Sequence, residues 1–157
     1  MSNIKYKTEE EQLAAVRENG YEIEYIHNPS EEVQLTAVKQ SGRTIQYIHN
    51  PSEKVQLAAV RGDCTAIQFI HNPSKKVQLT AVKRCCFAID YIHNPSEEIQ
   101  LEAIKQNNRT IQFIHTPAPS VVRYIIENCD DLDIIQSMRI DFDELPVDLK
   151  LLLEIRF

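Results

Sequence analysis

No stretch of the chain approaches the roughly 18 consecutive apolar residues of a membrane-spanning helix, and the opening MSNIKYKTEEE lacks the apolar core of a secretory signal. These absences predict a cytoplasmic protein, a host cell's cytoplasm included, with no membrane partner. Cysteine is sparse. Cys64, Cys85, Cys86 and Cys129 follow no C-x-x-C spacing, and adjacent Cys85 and Cys86 make a poor structural disulfide, so all four read as reduced thiols. An excess of positive charge is missing too: the formal net charge is −6, which argues against a general nucleic-acid binder while leaving room for a local basic patch. Nothing sets a nucleophile within reach of a base. The expectation is therefore of no enzyme, no catalytic residue, no cofactor and no metal.

What is present is a period. The chain of 157 residues is 43% hydrophobic and 25% charged, ordinary for one globular domain. Its five histidines, His27, His49, His71, His93 and His115, stand 22 residues apart, and YIHNPSEEVQL around the first returns nearly intact around the next three. A fixed period of this length signals an array of stacked units. The reading is a single domain over 1–157: a capping repeat at 6–27, close copies at 28–49, 50–71, 72–93 and 94–115, a degenerate repeat at 116–136, and a C-terminal cap at 137–157.

Within one copy the punctuation is helical. Asn28 reads as the N-cap, Pro29 as the first helical residue and Glu31 as the third position of a capping box. Gly42, matched by Gly20 and Asn108, reads as the left-handed residue that closes the helix. This predicts a first helix over 29–40. The following RTIQYIH is short, but docked on neighbours it forms a second helix; its alternation also fits a strand. In the first copy Thr8 and Glu11 suit a capping box, and Glu11 replaces the core valine.

At about 100° per residue, Val33, Gln34, Leu35, Ala37 and Val38 share the inner arc, and Glu32, Thr36, Lys39 and Gln40 the outer one. The aromatic series Tyr25, Tyr47, Phe69, Tyr91 and Phe113 alternates Tyr with Phe, so its rings read as packing. The unvarying Gln12, Gln34, Gln56, Gln78 and Gln100 read as an internal ladder bonding loop backbone, with one-base-per-unit RNA reading as the alternative. The histidines read as bonding loop backbone beside the next cap, with a pH-sensing or ligand role as the alternative. Two imidazoles on one zinc bring their nitrogens to about 3 to 3.5 Å, while packed helices stand about 8–10 Å apart, so successive histidines are not expected to share a metal.

The pattern N-P-S-E-E-V-Q-L-x-A-V-K resembles an uncharacterised family of 22-residue helical repeats in bacterial and viral proteins. More distantly it is similar to HEAT and leucine-rich-variant repeats. The resemblance covers about residues 8–115 well and 116–136 poorly. It implies an all-α, right-handed α-solenoid of about six two-helix repeats with a C-terminal capping helix, a tendency to bind macromolecules, and no catalytic residues.

If the constant letters build the wall, the varying ones meet the partner. The candidates are Lys54, Lys75, Lys76, Thr80, Lys83 and Arg84 on the first helices, and Gln46, Gln68, Asp90 and Gln112 on the second. The repeat 72–93 is basic, whereas Asp130, Asp131, Asp133, Asp141, Asp143 and Glu144 make the C-terminal portion acidic. The expected function is non-enzymatic protein binding, in a narrower version as a phage or viral inhibitor occluding a host complex. Nucleic-acid binding through the basic repeat is the alternative. At the degenerate end, Arg123 takes the register of Leu35 and Pro119 is expected to disturb its helix start. The tail LPVDLKLLLEIRF, with Leu149, Leu152, Leu153, Ile155 and Phe157, caps the array or forms a homodimer interface.

Overall fold

The computed structural model describes residues 8–138 and 145–156. These residues are helical with no strand among them, which removes the strand reading of RTIQYIH. The chain divides into two compact units, Met1–Arg84 and Cys85–Phe157. Asp141, Asp143, Glu144 and Phe157 lie outside the described residues.

The first unit contains α1 (Glu9–Glu18), α2 (Glu31–Gln40), α3 (Glu53–Gly62) and α4 (Lys75–Arg84), with six-residue 3-10 helices Gly20–Tyr25, Gly42–Tyr47 and Cys64–Phe69 between them. Consecutive α-helices pack together, and each 3-10 helix packs on the α-helices before and after it. Val33, Ala37 and Val38 of α2 are fully buried, as are Val55, Ala59 and Val60 of α3. The inner arc is therefore where 3.6-residue periodicity puts it.

The helices begin two residues later than expected. Ser30, not Asn28, is the N-cap of α2: its hydroxyl accepts from the Val33 N–H, and the helix starts at Glu31. Asn28 instead sits at φ 52°, as do its counterparts Asn50, Asn72 and Asn94 at φ near 50°. Asparagine enters this left-handed region more readily than most residues. Its purpose here is to reverse the chain, and the β-branched Thr116 in the equivalent place does not follow it. The capping serine also reaches the previous helix, because Ser52 donates to Glu31 at 2.6 Å, Ser74 to Glu53 at 3.3 Å, and Ser30 to Glu9. One residue thus starts a helix and fastens it to its neighbour. In α1 the capping box of Thr8 and Glu11 forms as read from the sequence.

The short helices obey a period of three. With three residues per 3-10 turn, side chains at i and i+3 lie above one another. Gly42, Ile45 and Ile48 fall on one line and are buried, whereas Arg43, Gln46 and His49 fall on another and are exposed. Thr44 is fully buried, its hydroxyl donating to the Ser41 carbonyl at 2.8 Å.

Gly20 and Gly42 begin these 3-10 helices and have no positive φ, so the left-handed closing role expected for them is not what they do. Their task is close approach. A Cβ on Gly20 would stand 2.8 Å from the Ala37 carbonyl oxygen, and one on Gly42 would stand 2.4 Å from that of Ala59.

The second unit contains the 3-10 helices Cys86–Tyr91 and Asn108–Phe113 with α5 (Glu97–Gln106), α6 (Pro119–Asn128), α7 (Leu132–Gln136) and α8 (Val147–Arg156). Pro119 does not disturb the start of α6. It occupies the first helical position, in register with Glu97 of α5, where its missing N–H costs nothing. Val121, Val122, Ile125 and Ile126 are buried, and α6 packs on α5 and α8. The α6–α8 contact buries Leu149 and pairs Arg123 with Asp148.

Candidate interaction surface

The constant polar letters are largely consumed inside the units. The side-chain N–H groups of Gln34, Gln56 and Gln78 donate to the carbonyls of Pro29, Pro51 and Pro73 at 2.8 to 2.9 Å. In the second unit Gln100 donates to Pro95 and Thr116 while accepting from the Ala118 N–H. These amides brace the turn before each helix, and in the last case tie two repeats. Glu31 is similarly engaged: the Ser52 hydroxyl, then the hydrogen bond and charge of Lys54, hold its carboxyl below the usual carboxylate range. Its contribution to stability is present above that ordinary range and lost as pH falls through the lowered value.

The ring series is less enclosed than expected. Tyr25 and Tyr91 are exposed, and the others are half-buried. Their contacts run between repeats: Tyr21 meets Tyr47 edge-on at 6.3 Å, the Arg43 guanidinium lies 5.8 Å from the Phe69 ring centre, and Phe87 meets Phe113 at 6.2 Å. Such pairs contribute roughly 0.5 to 1.5 kcal/mol.

Of the candidates on the α-helices, Lys54, Lys75, Lys76, Lys83 and Arg84 are exposed. Lys54 pairs with Glu31 at 3.4 Å, Arg84 donates to the Gly62 carbonyl at 3.1 Å, and the half-buried Thr80 donates its hydroxyl to the Lys76 carbonyl. The ammonium groups of Lys76 and Lys83 have no partner among the described residues. At the helical spacing 76, 80, 83 and 84, these residues share one outward stripe of α4. The corresponding stripes read Glu10, Ala14, Arg17 and Glu18 on α1, then Glu32, Thr36, Lys39 and Gln40 on α2, then Lys54, Ala58, Arg61 and Gly62 on α3. Charge on the outer face of this unit therefore turns from acidic to basic from α1 to α4.

On the 3-10 helices, Gln46, Gln68, Asp90 and Gln112 are all exposed. Gln68 bonds the Thr65 carbonyl of its own turn. Gln112 lines a cleft of about 290 Å³ with Arg109, Asp131 and Asp133, where a guanidinium and two carboxylates converge.

The histidines differ most from expectation. All five are exposed, and no imidazole has a hydrogen-bond or ionic partner among the described residues, so none bonds the loop backbone. The 3-10 period explains this, since His49 continues the outer line of Arg43 and Gln46. In the first unit His49 and His71 line one cavity of about 420 Å³, with Ile48, Phe69 and Ile70 beneath and Asn50 beside them.

The cysteines hold thiols, not disulfides. Burial, and then the neighbouring Cys85, push the Cys86 thiol up, which disfavours the nucleophilic thiolate. Among the described residues no three His, Cys, Asp or Glu side chains are grouped to hold a metal, and no helix is long and apolar enough to cross a membrane.

On α8, Val147, Leu151 and Ile155 are 81%, 54% and 75% exposed, and their four-residue spacing forms an apolar stripe. Compared with protein-family models, with curated proteins and with solved structures, the chain finds no match.

Proposed function

We propose that the protein is a non-enzymatic repeat scaffold, a right-handed α-solenoid of 22-residue repeats capped at its C-terminal end, that binds a protein partner through the outer stripes of α1 to α4. The observation carrying this reading is the division of labour among side chains. Repeated polar groups such as Ser52, Glu31 and Gln56 are hydrogen-bonded within the unit, whereas the varying outer positions end in exposed Lys76 and Lys83 without partners. A graded charge face orients an incoming partner and accelerates encounter. The narrower version, a phage or viral inhibitor occluding a host complex, rests on the sequence resemblance alone.

A cross-linking pull-down tests it. The wild-type chain is expected to retain a partner that the Lys76→Glu, Lys83→Glu double variant loses, and an identical catch from both removes this face from the proposal. The clustering of Lys75, Lys76, Lys83 and Arg84 on one helix favours a second reading, nucleic-acid binding. Such binding weakens steeply with salt. A gel shift with RNA or duplex DNA at low salt that fades as salt rises supports it, and no shift rejects it.

For the stripe Val147–Leu151–Ile155 we propose a second copy of the chain as occupant, since large apolar side chains in a row on one helix mark an association surface. Sedimentation at tens of micromolar is expected to show dimers, and Leu151→Glu with Ile155→Glu to give monomers. Monomeric wild type at that concentration rejects the dimer.

A further inference from the structure

The cavity between the turns of His49 and His71 has no role in the fold described above. Its floor is Ile48, Phe69 and Ile70, and its rim is His49, Asn50 and His71. Neither imidazole has a partner, nor does the Asn50 carboxamide, while the Gln56 amide is already committed to the Pro51 carbonyl. No carboxylate lines the cavity. The rim therefore offers N–H donors that are unanswered, above an apolar floor. Chemistry of this kind fits an acceptor carried on an apolar stem, and a carboxylate accepts such bonds more strongly than a neutral group.

The turn that builds the rim is also repeated. Ile26, His27, Asn28, Tyr47, Ile48 and His49 occupy the same register one repeat earlier in this unit. Asn28 holds the same left-handed turn as Asn50, at φ 52° against 50°. Packed helices stand about 8–10 Å apart. A polyproline II chain returns to the same side every three residues, after about 9.3 Å, whereas an extended β-strand presents its third residue on the opposite face.

We infer that the histidine-bearing turns of the first unit bind an extended, acidic peptide in polyproline II conformation, with one carboxylate side chain per repeat. Side chains at i and i+3 enter successive His–His grooves, and their stems lie against the isoleucines. This edge is distinct from the outer stripes of α1 to α4, so either surface can fail without the other.

Isothermal titration of the full chain with the synthetic peptide (Glu-Pro-Pro)5, beside (Gln-Pro-Pro)5 and (Lys-Pro-Pro)5, tests the inference. Binding of the glutamate peptide alone is expected. His49→Ala with His71→Ala should weaken it at least tenfold, while Lys76→Glu with Lys83→Glu should leave it within about twofold. Both histidines are exposed, and unchanged circular dichroism will show that their variant is folded. Absence of binding at millimolar peptide, equal binding of the three peptides, or undiminished binding by the histidine variant overturns it. A loss confined to the lysine variant overturns it as well, and assigns the peptide to α4.

Discussion

Gly42→Ala is expected to lower stability by about 3 kcal/mol, toward the upper end of overpacking costs, and to reduce the melting temperature by roughly 6–12 °C for a chain of this size. The new methyl would lie 2.4 Å from the Ala59 carbonyl oxygen and 3.0 Å from both Cβ and N of Asp63. Two of these three atoms are backbone and cannot rotate away. Relief requires the 3-10 helix Gly42–Tyr47 to move off α3, which lifts Ile45 from its buried position. Gly62→Ala provides the opposite sign. Its methyl meets nothing closer than 3.6 Å, and alanine at the last turn of α3 removes the backbone entropy that glycine loses on folding. A gain of about 0.4–1 kcal/mol is expected there. Thermal melting of both variants followed by circular dichroism decides the matter. Equal effects would mean that space beside Gly42 is not what glycine supplies.

That contrast also shows why one part of the fold was hidden in the sequence. Glycine after a helix is usually a left-handed residue, and a single sequence does not distinguish conformational need from steric need. The partial replacement of this glycine by Cys64, Cys86 and Asn108 in later copies tells against an obligatory left-handed turn, because cysteine does not favour positive φ. Asn28 was misread for the mirrored reason. Both Asn28 and Ser30 are good caps, and Asn-Pro directs attention to the first of them. The Thr116 substitution was no guide, since threonine is also a capping residue. The choice was made by the turn leaving the 3-10 helix, a tertiary demand that no capping preference contains.

The buried face of the α-helices was legible because Val33, Ala37 and Val38 recur at helical spacing. The outer candidates on α4 were legible for the same reason, as the complement of that face. The second row was harder, since a 3.6-residue helix and a strand both fit RTIQYIH poorly. A period of three was present throughout: Gly42, Ile45 and Ile48 inside, Arg43, Gln46 and His49 outside. It was masked because long 3-10 runs are uncommon. Its consequence for function is direct, because it carries His49 from a structural ladder to an exposed rim. The unvarying sequence of that rim reflects the turn it occupies, and constancy alone does not separate a bracing residue from one aimed at solvent.

The glutamine ladder supplies the second large effect. Gln100→Leu is expected to cost about 3–4 kcal/mol, because Gln100 is 5% exposed and its amide answers three backbone groups: the Pro95 and Thr116 carbonyls and the Ala118 N–H. Each buried group left without a partner costs about 1–3 kcal/mol, reduced wherever water can replace the lost bond. Leucine keeps the volume, so the loss reports hydrogen bonding more than a cavity. Gln56→Leu is expected to cost about 1 kcal/mol, since the half-buried Gln56 answers the Pro51 carbonyl alone. Gln100→Glu separates donor from acceptor. The carboxylate still accepts from Ala118 but sets negative charge against the Pro95 and Thr116 carbonyls, so it should fall closer to the leucine variant than to wild type. Urea denaturation of the three variants measures the order Gln100→Leu, Gln100→Glu, Gln56→Leu from most to least destabilised. If Gln56→Leu costs as much as Gln100→Leu, the clasp to Thr116 and Ala118 adds nothing, and the glutamine row braces turns one at a time instead of joining repeats.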